Sequence, residues 1–166
     1  DLYLWKKFIV KNPSTYIYCM RGGKRSQIAK SWLSDEGINV PIVKGGYKAL
    51  RNTAIEILNS VNNDQKNWII LAGRTGTGKT AILKNLHSAI DLEKHAMHRG
   101  SVFGDLTKQQ PTTINFENHL ASEYIKHNNN ILFLEDESRR IGKLNIPNTW
   151  YEKMKKSKII IIELAL

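Results

Sequence analysis

With one cysteine in 166 residues, Cys19, the chain cannot form an internal disulfide, and a reducing, cytoplasmic setting is expected. Acidic residues are scarce. Fifteen Asp and Glu stand against 25 Lys and Arg, a formal net charge of +10 that favours a polyanionic partner. No apolar run approaches bilayer length: Ile159-Ile160-Ile161-Ile162 is far too short to span one and reads as a buried parallel strand, so no membrane role is expected. A cationic start followed by an apolar core and a small-residue cleavage site is missing, so no signal peptide is read. There is no internal repeat and no low-complexity tract.

What is present describes a globular α/β protein. Hydrophobic residues make up 41% and charged residues 24%, which excludes a disordered chain. Leu2, Trp5, Phe8 and Ile9 form a helical apolar stripe that Pro13 closes. Tyr16 to Tyr18 reads as a short strand delivering Cys19, and a helix is expected from Arg25 to Asp35, with Ile28, Ala29, Trp32 and Leu33 inward. A second strand, Val40 to Val43, precedes a helix from Tyr47 to Leu58. This β-α-β-α order implies a parallel sheet. The polar stretch Asn59 to Asn67 is read as the boundary between residues 1–58 and 59–166. Beyond it, strands are expected at Trp68–Ala72, Ile131–Glu135 and Ile159–Leu164, and helices at Lys79–Ile90, Asn115–His127 and Pro147–Lys156. Asp91 to Gln110 reads as a functional loop. The chain starts at Asp1 rather than Met and shows few strands for a doubly wound sheet, so a segment of a larger protein is expected.

Chemistry concentrates in two loops. Cys19-Met20-Arg21-Gly22-Gly23-Lys24-Arg25-Ser26 places a thiol beside three cations and two glycines. The glycines let backbone N–H groups curl into an anion-holding nest, and the cations are expected to favour the thiolate. The first 58 residues carry ten Lys and Arg against four Asp and Glu, so this loop lies in the more basic part of the chain. The second loop, Gly73-Arg74-Thr75-Gly76-Thr77-Gly78-Lys79-Thr80, is a complete Walker A pattern between an apolar strand and a helix. In that pattern backbone N–H groups surround phosphate, Lys79 adds charge, and the Thr80 hydroxyl can ligate Mg²⁺. At the end of the strand Ile131–Glu135, the run Glu135-Asp136-Glu137 stands where a metal or its water shell is held, which makes Asp136 the candidate partner of Thr80 on Mg²⁺. Arg139 and Arg140 follow as candidates for further phosphate binding, and His98, Arg99 and Ser101 join the candidate site through a loop that offers a cation and an acid–base group.

The cysteine loop resembles the active-site loop of rhodanese-like sulfurtransferases, which implies that Cys19 carries a chalcogen, with Arg21 and Arg25 in its cradle. The order of motifs is similar to that of the tRNA 2-selenouridine synthase family. Tyr18 to Gly23, Gly45 to Arg51 and Gly73 to Thr80 carry that resemblance, with Asp91-Leu92-Glu93, His98 to Ser101, Phe103-Gly104, Gln110-Pro111 and Glu135 to Gly142. It implies that residues 1–58 are the C-terminal half of a rhodanese-like domain and residues 59–166 a C-terminally incomplete P-loop domain. It also implies a bacterial transferase that acts on wobble 2-thiouridine of tRNA. The sulfur is geranylated from geranyl diphosphate, and selenium from selenophosphate then replaces it. Two alternatives stay open: a rhodanese-type sulfurtransferase fused to an ATPase or kinase, and a non-catalytic module that binds tRNA or a nucleotide.

Overall fold

The apolar stretch ahead of the phosphate loop becomes the central strand of a parallel sheet. A computed structural model describes residues 2–98 and 109–163. In chain order its elements are α1 (Leu2–Lys11), α2 (Lys24–Asp35), α3 (Gly46–Ser60), β1 (Asn67–Ala72), α4 (Lys79–Asn85), β2 (Ala89–Ile90), α5 (Leu92–His95), α6 (Thr113–Lys126), β3 (Ile131–Glu135), β4 (Arg140–Ile141), β5 (Leu144–Asn145), α7 (Asn148–Lys156) and β6 (Lys158–Ile161). They group into two compact units, residues 1–53 and 54–166, and the division falls inside α3.

In the first unit the two expected strands shrink to one parallel bridge between Ile17 and Ile42. Ile17 N–H donates to Pro41 O at 2.9 Å, and Val43 N–H donates to Ile17 O at 2.9 Å. A parallel pair is stable when further strands and covering helices bury both of its faces, and a lone bridge has little to extend it. The helix α2 starts one residue earlier than expected, at Lys24. Only part of its expected inward face is covered. Leu33 is buried, whereas Ile28 and Trp32 are about half exposed, at 47% and 53%. Trp32 instead stacks on Trp5 of α1, with ring centroids 6.3 Å apart.

The second unit holds the main core. Ala54, Ile57, Leu58 and Val61 share one helical face by their spacing, and that face packs into this core. Leu58 and Val61, on either side of the start of the polar stretch, are therefore buried. The sheet order is β2-β3-β1-β6, with every pairing parallel. Trp68 of β1, Tyr124 of α6 and Trp150 of α7 meet edge to face, with centroids 5.0 to 6.0 Å apart. Such a cluster supplies much of the apolar burial that fixes helices against a sheet.

Three local expectations are corrected here. α4 ends at Asn85 rather than Ile90, because Leu86 turns extended and Ala89–Ile90 pairs with β3 as a short edge strand. Its inward residue is Leu83, at 2% exposure, while Ala81 and Ile82 face outward. The isoleucine run is parallel but not buried: Ile159, Ile160 and Ile161 are 58%, 46% and 67% exposed, since β6 is the edge of the sheet among the described residues. A hairpin, β4–β5, joins Arg140–Ile141 to Leu144–Asn145 and buries Ile141 and Leu144. Among the described residues no helix is long and apolar enough to cross a membrane.

Candidate functional sites at the two loops

The cysteine loop is held by the start of α3. The first N–H groups of a helix have no partner within it. Here Tyr47 N–H donates to Cys19 O at 2.9 Å and Lys48 N–H donates to Met20 O at 3.0 Å. The approach is so close that a Cβ on Gly46, whose φ is +61°, would lie 2.0 Å from Cys19 O. Glycine is required there both for its conformation and for space.

Within the loop, Cys19 Sγ lies 3.3 Å from Ser26 Oγ, and Ser26 Oγ donates to Gly23 O at 2.9 Å. The Ser26 hydroxyl is the largest influence that lowers the Cys19 pKa to about 6. Partial burial opposes it, and backbone N–H groups of Arg21, Ser26 and Gly23 add to it. Hydrogen bonds to the thiolate, rather than the loop's cations, therefore account for the shift, which revises the charge argument made from sequence. Arg21, Lys24 and Arg25 line a cavity of about 380 Å³ with Cys19. Their positive charge can attract an anion into this cavity.

The phosphate loop leaves the C-terminal end of β1, beside the point where connections run to β3 on one side and β6 on the other. Parallel sheets bind ligands at such a switch point. Gly73, Thr75, Gly76, Gly78, Lys79 and Thr80 line a cavity of about 830 Å³. Lys79 Nζ donates to Gly73 O at 2.9 Å and stands 3.9 Å from Glu135 Oε1. Arg74 does not line this cavity; its carbonyl accepts from Thr77 Oγ1 at 2.8 Å. Gly73 passes so near β6 that a Cβ would lie 2.5 Å from Ile162 O. Thr80 and Asp136, the residues expected to hold Mg²⁺, both line the cavity, and Asp136 is exposed.

The opposite wall is acidic. Glu135 closes β3 at 3% exposure, and burial, then Glu93 and Asp91, raise its pKa to about 7 against the pull of Lys79. Glu137 is likewise pushed upward, first by burial and then by its hydrogen bond with Glu93. One carboxylate oxygen from each of Glu93, Glu135 and Glu137 lies within 4.8 Å of the others. Glu93 is the residue that sequence reasoning left out of the site. The signal was Asp91, which caps α5 by accepting from Lys94 N–H at 2.8 Å and so fixes Glu93 in its first turn.

Other candidates lie elsewhere. Arg139 hydrogen-bonds Asn148, and Arg140 Nε donates to Gly142 O at 2.8 Å. Neither Arg lines the phosphate cavity. His98 N–H donates to Glu93 O at 3.0 Å, but its ring packs near Gly142, where a Cβ would meet His98 Cδ2 at 2.7 Å. Gln110 ties the segment after α5 to the hairpin: it donates to Ala96 O and Ile141 O and accepts from Lys143 N–H at 2.7 Å. Arg99 and Ser101, with Phe103 and Gly104, lie outside the described residues.

Comparison with known proteins agrees with this motif set. Residues 66–166 match the family described as the tRNA 2-selenouridine synthase AAA domain. A tRNA 2-selenouridine synthase of Shewanella denitrificans is 45% identical over 162 residues, covering 96% of this chain and 44% of that relative. One from Marinobacter nauticus is 44% identical over 165 residues, covering 98% of this chain and 45% of the relative. The chain thus spans a little under half the length of these curated relatives. No solved structure matches it significantly.

Proposed function

The chain belongs to the tRNA 2-selenouridine synthase family, and from that premise we propose that it supplies two successive half-sites for replacing sulfur by selenium in wobble 2-thiouridine of tRNA. The observation that carries this reading is the presence, in one chain, of a thiol held near pKa 6 in an anion-receiving loop and a lysine-bearing phosphate loop. On this reading residues 1–58 are the C-terminal half of a rhodanese-like domain and residues 59–166 a P-loop domain.

The phosphate loop holds the diphosphate of geranyl diphosphate. The thiocarbonyl sulfur attacks the carbon bearing the diphosphate; an S–C bond forms, the C–O bond breaks, and diphosphate leaves. Lys79 and the loop N–H groups offset the charge that builds on the leaving group. Thr80 and Asp136 would hold Mg²⁺, which would supply further positive charge there. S-alkylation makes the ring carbon more electrophilic and converts a poor sulfide leaving group into a thiol. The selenium of selenophosphate then attacks that carbon, with Cys19, Arg21 and Arg25 positioning the anionic donor. A C–Se bond forms, the C–S bond breaks with loss of geranylthiol, and water cleaves the remaining P–Se bond to release phosphate. The net charge of +10 suits contact with tRNA phosphates.

The test is mass analysis of nucleosides from thiolated tRNA incubated with the full-length enzyme, geranyl diphosphate and selenophosphate. Lys79→Ala is expected to abolish geranylation. Cys19→Ala is expected to leave geranylation and block selenium incorporation. Equal loss of both steps in each variant refutes the division of labour, and absence of any geranylated product refutes the function.

A further inference from the structure

The charges around the phosphate cavity do not suit a phosphate ligand alone. Lys79 and Lys84 face Glu93, Glu135, Asp136 and Glu137, so a loop built for anions looks onto an acidic wall. Where these carboxylates are ionised they repel an entering diphosphate, and a cation held among them removes that repulsion.

The geometry points to a divalent cation of the Mg²⁺ class bound by Glu93, Glu135 and Glu137, resident on the protein before any phosphate compound arrives. Three carboxylate oxygens within 4.8 Å of one another are a hard, all-oxygen donor set. A second observation is independent of that clustering. Glu135 is 3% exposed, and its Oε2 is buried without a hydrogen-bond partner, although Oε1 lies 3.9 Å from Lys79 Nζ. A buried carboxylate oxygen left unpaired is costly, and a cation supplies the missing partner. The donors come from α5, the end of β3 and the residue two beyond it, so the ion would tie the segment after β2 to the sheet. Its donors differ from the pair Thr80 and Asp136, which line the same cavity. Its part in catalysis, placing positive charge between the acidic wall and the diphosphate, rests on the proposed function; the binding itself does not.

The experiment is a titration of the full-length protein with Mn²⁺, with free Mn²⁺ followed by electron paramagnetic resonance and no phosphate compound present. One tightly held Mn²⁺ per chain, displaced by Mg²⁺, is expected, with binding weakened at least tenfold in Glu93→Gln and in Glu137→Gln. If a Gln variant does not fold, as judged by circular dichroism, Glu93→Asp, which keeps the charge and shortens the reach, takes its place with the same expected loss. Absence of Mn²⁺ binding until diphosphate is added, or unchanged binding in the folded variants, overturns the site; shared protons would then be what reconciles the three carboxylates. Intact Mn²⁺ binding in an enzyme that forms no geranylated tRNA would instead sink the proposed function and leave the cation site standing.

Discussion

At the residue scale the cysteine is governed by one hydroxyl. Ser26 is 1% exposed, sits in the first turn of α2, and reaches both Cys19 Sγ and Gly23 O. With the thiol protonated, S–H can donate to Ser26 Oγ while the hydroxyl donates to Gly23 O. With the thiolate, the hydroxyl can turn and donate to sulfur instead. Loss of that donor removes the largest cause of the lowered pKa. Since the thiolate is the nucleophile, the rate of alkylation by iodoacetamide should rise through a midpoint of about 6 in the native protein. In Ser26→Ala the midpoint should move up toward the ordinary thiol range, with a several-fold slower reaction at pH 7. An unmoved midpoint would assign the shift to the neighbouring cations after all. That serine was visible in the sequence as part of the loop, but its contact with sulfur was not, because a spacing of seven residues does not say where a hydroxyl points.

At the scale of elements, α3 and α7 each hold something that periodicity alone does not reveal. The N-terminus of α3 grips the cysteine loop through the carbonyls of Cys19 and Met20. Gly46→Ala is expected to push that loop away and slow thiol alkylation markedly, while the melting of the second unit's core stays close to wild type. The two effects are separable by pairing alkylation kinetics with tryptophan fluorescence, which would report the aromatic cluster. On α7, Trp150 is fully buried between Trp68 and Tyr124. Trp150→Ala should lower the unfolding free energy by about 3–5 kcal/mol, read as a reduced denaturant midpoint. Element identities followed from period and punctuation: β3 matches its expected bounds, and α2, α6 and α7 differ from theirs by one or two residues. The errors fell where tertiary pairing competes with helix propensity. Leu86 to Ile90 has the apolar content of a helix, yet β3 offers a free edge and takes Ala89 and Ile90 as a strand.

For the whole molecule the dominant property is charge. On the proposed function, a net +10 has tRNA binding driven in good part by counterion release. If about six phosphates are contacted, affinity should fall about 10³-fold between about 50 and 200 mM salt, measurable by filter binding or fluorescence anisotropy. A flat salt response would count against a phosphate-backbone interface. The positive charge is not uniform at close range, since the phosphate cavity carries an acidic wall inside a basic protein.

The sequence by itself determined where the two glycine-bearing loops lie, the α/β class and the family, because glycine spacing, a lone thiol and apolar periodicity are local properties written along the chain. It also placed Lys79 at the start of the helix that follows one strand and its loop, and Glu135 at the end of another strand, ends that a parallel sheet brings to one edge. Only the tertiary structure decided which carboxylates meet. Glu93 is 42 residues from Glu135, and they come together because β2 and β3 pair in parallel, so that the segments leaving their C-terminal ends emerge side by side. It also decided what is covered: the same isoleucine run is core or exposed edge depending on whether another strand lies beside it, and no local pattern specifies that neighbour.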